Sequence, residues 1–409
     1  MRKRKQRASA FVWGALIRYN SPRSPVAGAE SSMDLNWFML LSCLALPAPI
    51  GLAVWRCAFT GESFAKVFVP LIFTLAAAAG LFATVGPAII HSSPDSLAGI
   101  DFSYLLLRQF DNTALHHTLV MTLGAAVIGA ATNANLAVIA PLVVVFFPLL
   151  AAVAIKTAWF GLLRNGGVIA IGQAGLQLPG AMDVAGAMAI FLPAGAMALV
   201  AQSMLGESAP SPHPLRERRG MMIAASALLL IGFIAHVMAS SVMQSPATVM
   251  NAAMNALRGA AAGAVVGAIL ARTRQLQRPA GEVAASMLAG LVAITAAAGR
   301  APGIVALATG SAAAVSLPFV STALRSLGLT DPTRLISICF GGGVVGVLMA
   351  APFAVTPEPL PLQIFVQLAG GAFFTLLAVC LGALYCIFAR AVLGARPRVD
   401  RSGVTSFSR

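Results

Sequence analysis

The run Ala289-Gly290-Leu291-Val292-Ala293-Ile294-Thr295-Ala296-Ala297-Ala298-Gly299 decides how this chain is to be read. Small side chains dominate it, and one threonine interrupts it. Gly, Ala, Ser and Thr let neighbouring helix backbones approach closely inside a membrane, where packing drives association. The run lies in the eighth of about eleven apolar stretches, and its pattern predicts a span over 281–299. The others fall near 36–55, 65–90, 112–131, 134–155, 181–203, 220–241, 250–271, 303–323, 335–354 and 363–389. Each is close to the ~20 apolar residues that cross a hydrocarbon core.

Composition agrees. The chain has 409 residues, 58% of them hydrophobic and 10% charged, where soluble domains carry about 25% charged residues. The expected fold class is therefore an all-α polytopic membrane protein, with no room for a soluble catalytic domain and no enzyme activity. The formal charge of +14 does not point to nucleic acid. With the first span starting outside, Arg56, Lys66, Arg216, Arg218, Arg219, Arg272, Arg274, Arg278, Arg325, Arg334 and the basic tail share one side. Arg108, Lys156, Arg164 and Arg300 fall on the other, and Arg258 lies within a span. Basic loops stay in the cytoplasm. The expectation is an N-terminus outside and a C-terminus in the cytoplasm, in agreement with an odd span count.

That orientation leaves the basic segment Arg2-Lys-Arg-Lys5 on the outer side. Two readings fit residues 1–33. One is a signal-like peptide with Ala8–Ile17 as its apolar region and Ala27-Gly28-Ala29 as a cleavage-like site, although Arg18 and Arg23 disturb the pattern. The other is a basic extension before a true start at Met33. The membrane domain then covers 34–392 and a cytoplasmic tail 393–409. The five cysteines, Cys43, Cys57, Cys339, Cys380 and Cys386, lie in or beside apolar spans without a metal-binding spacing, so no disulfide framework, metal or cofactor is expected.

The polar loop around Ser208–Arg219 divides the chain into two five-span halves plus a final helix. Because five is odd, two consecutive halves are inverted relative to each other, and in such architectures the pathway lies at their interface near the midplane. One detail supports the repeat. Asp183 starts span five and is followed eight residues later by Phe191, while Asp331 precedes span ten and is followed eight residues later by Cys339. Eight helical residues descend about 12 Å, close to half of a ~30 Å core. Asp is a routine N-cap, which accounts for each Asp but not for their matching positions.

These features sit in a wider resemblance. The opening run resembles the signature of the ammonium transporter–Rhesus family. Gly51-Leu-Ala-Val-Trp55 resembles that family's Pro-Gly-Leu-Ala-Leu-Phe-Tyr, and Gly129-Ala130 the Gly-Ala ending its third helix. Asp183-Val-Ala-Gly-Ala-Met-Ala-Ile-Phe191 resembles Asp-Phe-Ala-Gly-Gly-Thr-Val-Val-His. Gly232 and Ser240 fall as in Gly-Trp-Phe-Gly-Phe-Asn-x-Gly-Ser. Asp331-Pro332, Gly343 and Gly346 match Asp-Pro…His-Gly-x-x-Gly-x-x-Gly, with Phe340 in place of its first Gly. The resemblance implies a homotrimer in the inner (plasma) membrane, with one narrow apolar pore per subunit that passes ammonium or ammonia. It also implies an outer recruitment site, where Ser240 matches directly and Trp159 is the nearest tryptophan. Cation–π attraction, about 0.5–2 kcal/mol, is the physical reason for such a Trp. An interfacial anchor is the alternative for Trp159, and a helix–helix hydrogen bond for Ser240.

The departures lie in the pore. The family's histidine pair falls at Phe191 and Cys339. Phe accepts no proton, and Cys titrates near 8.5 in water, higher when buried. The inner aromatic gate falls on His236 and the outer one near Leu119. His236 is either a relocated polar relay or a histidine that hydrogen-bonds a neighbouring helix. His116 and His117 are read as vestibule or loop residues. Arg258, an intramembrane charge, marks function by default, or pairs with a carboxylate, or snorkels. The short tail does not resemble the family's regulatory tail, which weighs against a PII-type regulator. A non-conducting ammonium sensor or interaction protein with the same fold is the alternative function.

Overall fold

In lipid, an apolar chain satisfies its backbone amides within helices, and irregular backbone survives only where protein covers it. The computed structural model follows both rules. It describes residues 31–92, 100–107, 113–132, 134–156, 181–205, 218–242, 246–276, 279–353 and 359–392. Trp159, the tail and almost all of the 1–33 segment lie outside the described residues. Residues 1–36 form one unit, of which only the start of the first helix is described, and residues 37–409 form the other.

The helices, in chain order, are α1 (Ser31–Leu44), α2 (Pro47–Thr60), α3 (Phe64–Ile90), α4 (Ala114–Ala131), α5 (Leu136–Ile155), α6 (Ala187–Leu205), α7 (Arg219–Val242), α8 (Val249–Thr273), α9 (Pro279–Ile294), α10 (Gly303–Ser326), α11 (Leu335–Ala350) and α12 (Leu360–Val392). Counting α1 and α2 together from Asn36, the described residues hold ten helical spans long and apolar enough to cross a membrane. The shorter α9 completes the eleven expected stretches. Proline sets several local features. Pro47 opens α2, a position where its missing N–H costs nothing. Pro141 and Pro148 flank a five-residue π-helical turn, Leu142–Phe146, inside α5. Bulky side chains such as Phe73, Ile223, Ile304 and Phe319 are largely exposed, as a lipid-facing surface requires.

Small residues place the helices. Gly259 of α8, Gly290 of α9 and Gly310 of α10 meet at one point, where a Cβ on either of the last two would strike the carbonyl oxygen of Gly259. Three backbones touch there because none carries a side chain. Between the halves, Gly232 of α7 packs on α2, and a Cβ there would lie 2.6 Å from that of Ala48.

Two spans differ from the sequence expectation. The stretch expected to be helical over 281–299 leaves the helix after Ile294, and residues 295–300 continue as turns. The stretch expected to start at 181 becomes helical only at Ala187. Both breaks have the same cause, because each supplies hydrogen-bond partners to the other.

Candidate functional site

Asp183 is fully buried, and its carboxyl group closes the start of α6. Oδ1 accepts from the Gly186 amide at 3.1 Å, and Oδ2 from the Met188 and Ala189 amides at 3.1 and 2.8 Å. Gly186 sits at φ +93°, a left-handed conformation that favours glycine. Asp331 repeats the arrangement in the second half, with Oδ1 accepting from Ile336 at 3.3 Å and Oδ2 from Ser337 at 2.7 Å. In both halves the carboxyl group reaches the amides five and six residues ahead. The Asp331 loop is held by the Trp55 indole, which donates to the Thr333 carbonyl at 2.9 Å, and by an Arg334–Glu282 ion pair.

The segment before α6 then meets the broken end of the opening run. The Val184 amide donates to the Ala296 carbonyl at 3.0 Å, and the Ala185 amide to the Thr295 carbonyl at 2.8 Å. Asn255 Nδ2 donates to the carbonyls of Ala298 and Ala301, each at 2.7 Å. Asn251 Nδ2 donates to that of Gly299 at 2.7 Å. Arg258, on the same helix, donates to Asn255 Oδ1 at 3.1 Å, which fixes the orientation of that amide. Carbonyls released from α9 are thus reclaimed by protein, as burial demands. The readings open for Arg258 did not include this contact, a hydrogen bond to a neutral amide that orients Asn255.

The Ala185 carbonyl points the other way. His236 Nε2 lies 2.8 Å from it. A carbonyl only accepts, so Nε2 carries the hydrogen and Nδ1 the lone pair. His116 of α4 stacks on His236, with centroids 5.6 Å apart and planes 22° from parallel. Both rings are buried. Ser240 Oγ lies 3.0 Å from His116 Nε2 and donates its one proton to the His236 carbonyl at 2.9 Å. His116 Nε2 is then the donor to Ser240. Its Nδ1 lies 3.4 Å from Ser42 Oγ.

Phe233, His236 and Ser240 share one face of α7, at spacings of three and four. Below His236 comes the Phe233 ring, edge-on at 6.4 Å. Phe191 of α6 stacks on Phe233 at 5.4 Å. One turn further along α6, Gly195 packs against Cys339 of α11, where a Cβ would lie 2.6 Å from that of Cys339. The order is Ser240 with His116, then His236, then Phe233 with Phe191, then Cys339. It runs between the two halves and changes from polar to apolar at Phe233.

Of the expected site residues, Ser240, His236, Phe191 and Cys339 fall along this file. Asp183 closes the start of α6, which carries Phe191, and Asp331 the start of α11, which carries Cys339. Leu119 is buried on α4 three residues beyond His116, and it is His116 that stacks on His236. His116 and His117, read from sequence as vestibule or loop residues near the outer end of span three, lie buried in the first turn of α4 and not in a loop. Two histidines at the start of an apolar span were a legible signal, but no spacing rule ties residue 116 to residue 236. Sequence reasoning also missed Phe233, Asn251 and Asn255. A mostly apolar cavity of about 360 Å³ between α11 and α12, lined by Phe340, Val344 and Leu376 among others, has Thr375 as its one polar side chain and lies apart from the file. Among the described residues no cluster of metal-binding side chains occurs.

Comparison with known proteins agrees with this architecture. No curated protein sequence matches the chain significantly. Solved structures do. One described as a sensor Amt protein is 20% identical with a TM-score of 0.74, covering 89% of this chain and 94% of its own. Mep2 from Candida albicans is 18% identical with a TM-score of 0.74, covering 90% and 86%. Mep2 from Saccharomyces cerevisiae is 16% identical with a TM-score of 0.74, covering 90% and 87%. At such identities these likenesses concern the fold. The model of the Ammonium Transporter Family matches residues 55–398, and a match over that length of the membrane domain places the chain in the ammonium transporter family.

Proposed function

We propose that this chain forms a transmembrane conduit for ammonium or ammonia, working by a mechanism that differs from a histidine-pair relay at Phe191 and Cys339. The observation that carries the reading is the file itself. A polar cluster of Ser240, His116 and His236 gives way to the stacked rings of Phe233 and Phe191 between two helical halves. A buried polar cluster followed by apolar rings admits a small, weakly solvated nitrogen species better than a hydrated ion, because an unpaired charge is costly away from water. Placement in the plasma membrane, an N-terminus outside, a cytoplasmic tail and a homotrimer belong to the same proposal, and Trp159 remains a candidate recruitment residue.

A second reading is a non-conducting ammonium sensor. It is favoured by the ring pair closing the file and by the likeness to a structure described as a sensor protein. Methylammonium uptake into liposomes, for the wild type and for a Phe191→His/Cys339→His double variant, separates the two. Uptake by the wild type above protein-free liposomes supports the conduit. Uptake by the variant alone, with wild-type binding seen by thermal shift, supports the sensor.

A further inference from the structure

Arg258 is a charge within a span, away from the file, and orienting Asn255 engages only part of it. It follows Val249, the first residue of α8, by two and a half turns, and it is partly exposed. Helix side chains lean toward the N-terminus, and this one runs back to the start of α10. A Cβ on Gly303, the first residue of α10, would lie 2.7 Å from Arg258 Nη1 and 2.8 Å from Cζ. The guanidinium therefore lies across Gly303. Asn255 at Ala301 and Gly259 at Gly310 make α8 and α10 parallel, so both begin at the same side of the membrane. We propose that the Arg258 guanidinium binds the phosphate of an anionic phospholipid in the leaflet at that side. The inference does not depend on the conduit reading.

Three features of the site call for an anion. First, a guanidinium carries five N–H donors, and among the described residues its acceptor is Asn255 Oδ1 alone, a neutral oxygen at 3.1 Å. Second, the carboxyl groups of the described side chains are engaged elsewhere. Glu62 pairs with Arg56 and Glu282 with Arg334. Asp183 and Asp331 accept from backbone amides, and Asp101 from Ser103. Third, the guanidinium stands at the N-terminal end of α10, the positive end of a helix dipole. Arg300, three residues before Gly303, adds positive charge there. A cation in that place is repelled until an anion joins it.

The surroundings select a lipid as the source of that anion. Met250, Met254 and Leu257 form an exposed stripe along α8 beside Arg258, and exposed Ile304 and Leu307 continue it on α10. One charge flanked by apolar side chains matches a headgroup above its acyl chains. The 25 residues of α8 are longer than a ~30 Å hydrocarbon core needs, so its first turns reach the headgroup layer, and a long Arg side chain snorkels to the same level. Phosphate oxygens suit the planar donor fork of Arg. A second copy of the chain fits less well, because its described carboxyl groups are the same engaged ones.

The test titrates the full chain, purified in detergent, with dioleoyl phosphatidylglycerol or dioleoyl phosphatidylcholine and counts bound lipids by native mass spectrometry. The first phosphatidylglycerol per chain is expected to bind about 10-fold more tightly than phosphatidylcholine, as a charge-assisted hydrogen bond allows. Arg258→Gln keeps a donor for Asn255 but no charge, and is expected to bind the two lipids equally. Arg258→Lys, a point charge without the fork, is expected to restore part of the preference. Inorganic phosphate at the lipid's concentration is expected to leave the lipid bound. Equal affinity of the wild type for the two lipids overturns the proposal, whether or not the variants fold. An unchanged preference in folded Arg258→Gln also overturns it. Displacement by inorganic phosphate makes the site one for free anions and overturns the lipid assignment. A change in oligomer mass in Arg258→Gln, with the lipid preference intact, assigns the face to a second copy and overturns it as well.

Discussion

Replacing Asp183 with alanine is expected to cost far more stability than replacing Asp331, although the two occupy equivalent places in the halves. Asp183 is fully buried and accepts from three amides at 2.8–3.1 Å. Removing it leaves three donors at the start of α6 without partners, in a region water does not reach. An unsatisfied buried donor costs about 1–3 kcal/mol, so even the low end gives about 3 kcal/mol. Asp331 accepts from two amides, one of them at 3.3 Å, and is itself half-buried. Solvent compensates part of its loss, and the cost falls to about 1–2 kcal/mol, near that of an ordinary N-cap. Asp183→Asn, which keeps one acceptor oxygen, falls between. The assay is unfolding of the purified protein by sodium dodecyl sulfate titration in mixed micelles, comparing midpoints at constant slope. If Asp183→Ala lies within about 1 kcal/mol of wild type, or Asp331→Ala costs as much, the buried carboxyl group does not organise the broken helix and the reasoning fails.

Gly290→Ala is expected to disrupt the α8–α9–α10 junction by about 3 kcal/mol or prevent folding, since its methyl group meets a backbone oxygen that has no rotamer to change. Gly80→Ala, with nothing within 4 Å, serves as the neutral comparison in the same unfolding assay. Asn255→Ala removes the side-chain donor to the Ala298 carbonyl, one of the two to the Ala301 carbonyl, which keeps Asn251 at 3.2 Å, and the acceptor that Arg258 uses. A loss of about 2 kcal/mol is expected, and a smaller loss for Asn255→Asp would show that its amide donors are unnecessary. In the loop between α2 and α3, burial raises the Glu62 carboxyl pKa. The hydrogen bond and charge of Arg56, with Thr60 and Lys66, outweigh this and hold it below the usual carboxylate range. The stabilisation from that pair is therefore complete above the unfolded value of about 4.3 and is lost as pH falls through the folded value. Glu62 is part-exposed, so the change stays under about 1 kcal/mol. The melting temperature of Glu62→Gln should fall less between pH 6 and pH 3.5 than that of the wild type.

Much of the architecture was legible in the chain because lipid imposes length and composition on a spanning helix. The span positions, the division after span five and the matched places of Asp183 and Asp331 all follow from pattern and spacing. The helix breaks were not legible. Runs of small apolar residues have no local reason to unwind, and nothing in the Thr295-Ala-Ala-Ala-Gly299 segment itself marks Ile294 as a last helical residue. Asn251 and Asn255 looked like ordinary polar residues of one span until the carbonyls they serve came into place.

Hydropathy and residue spacing are local properties that survive without a fold, and they were enough to establish a many-span membrane protein built from two related halves. What the opening run does was settled by tertiary contacts. Its last residues leave the helix because amides of Val184 and Ala185 and the side chains of Asn251 and Asn255, all distant in sequence, take up their carbonyls. The same folding turns the Ala185 carbonyl toward His236 and brings His116 onto it. Hydrogen-bond satisfaction in a medium without water is a property of the whole assembly, and it is there that the two buried histidines were brought together.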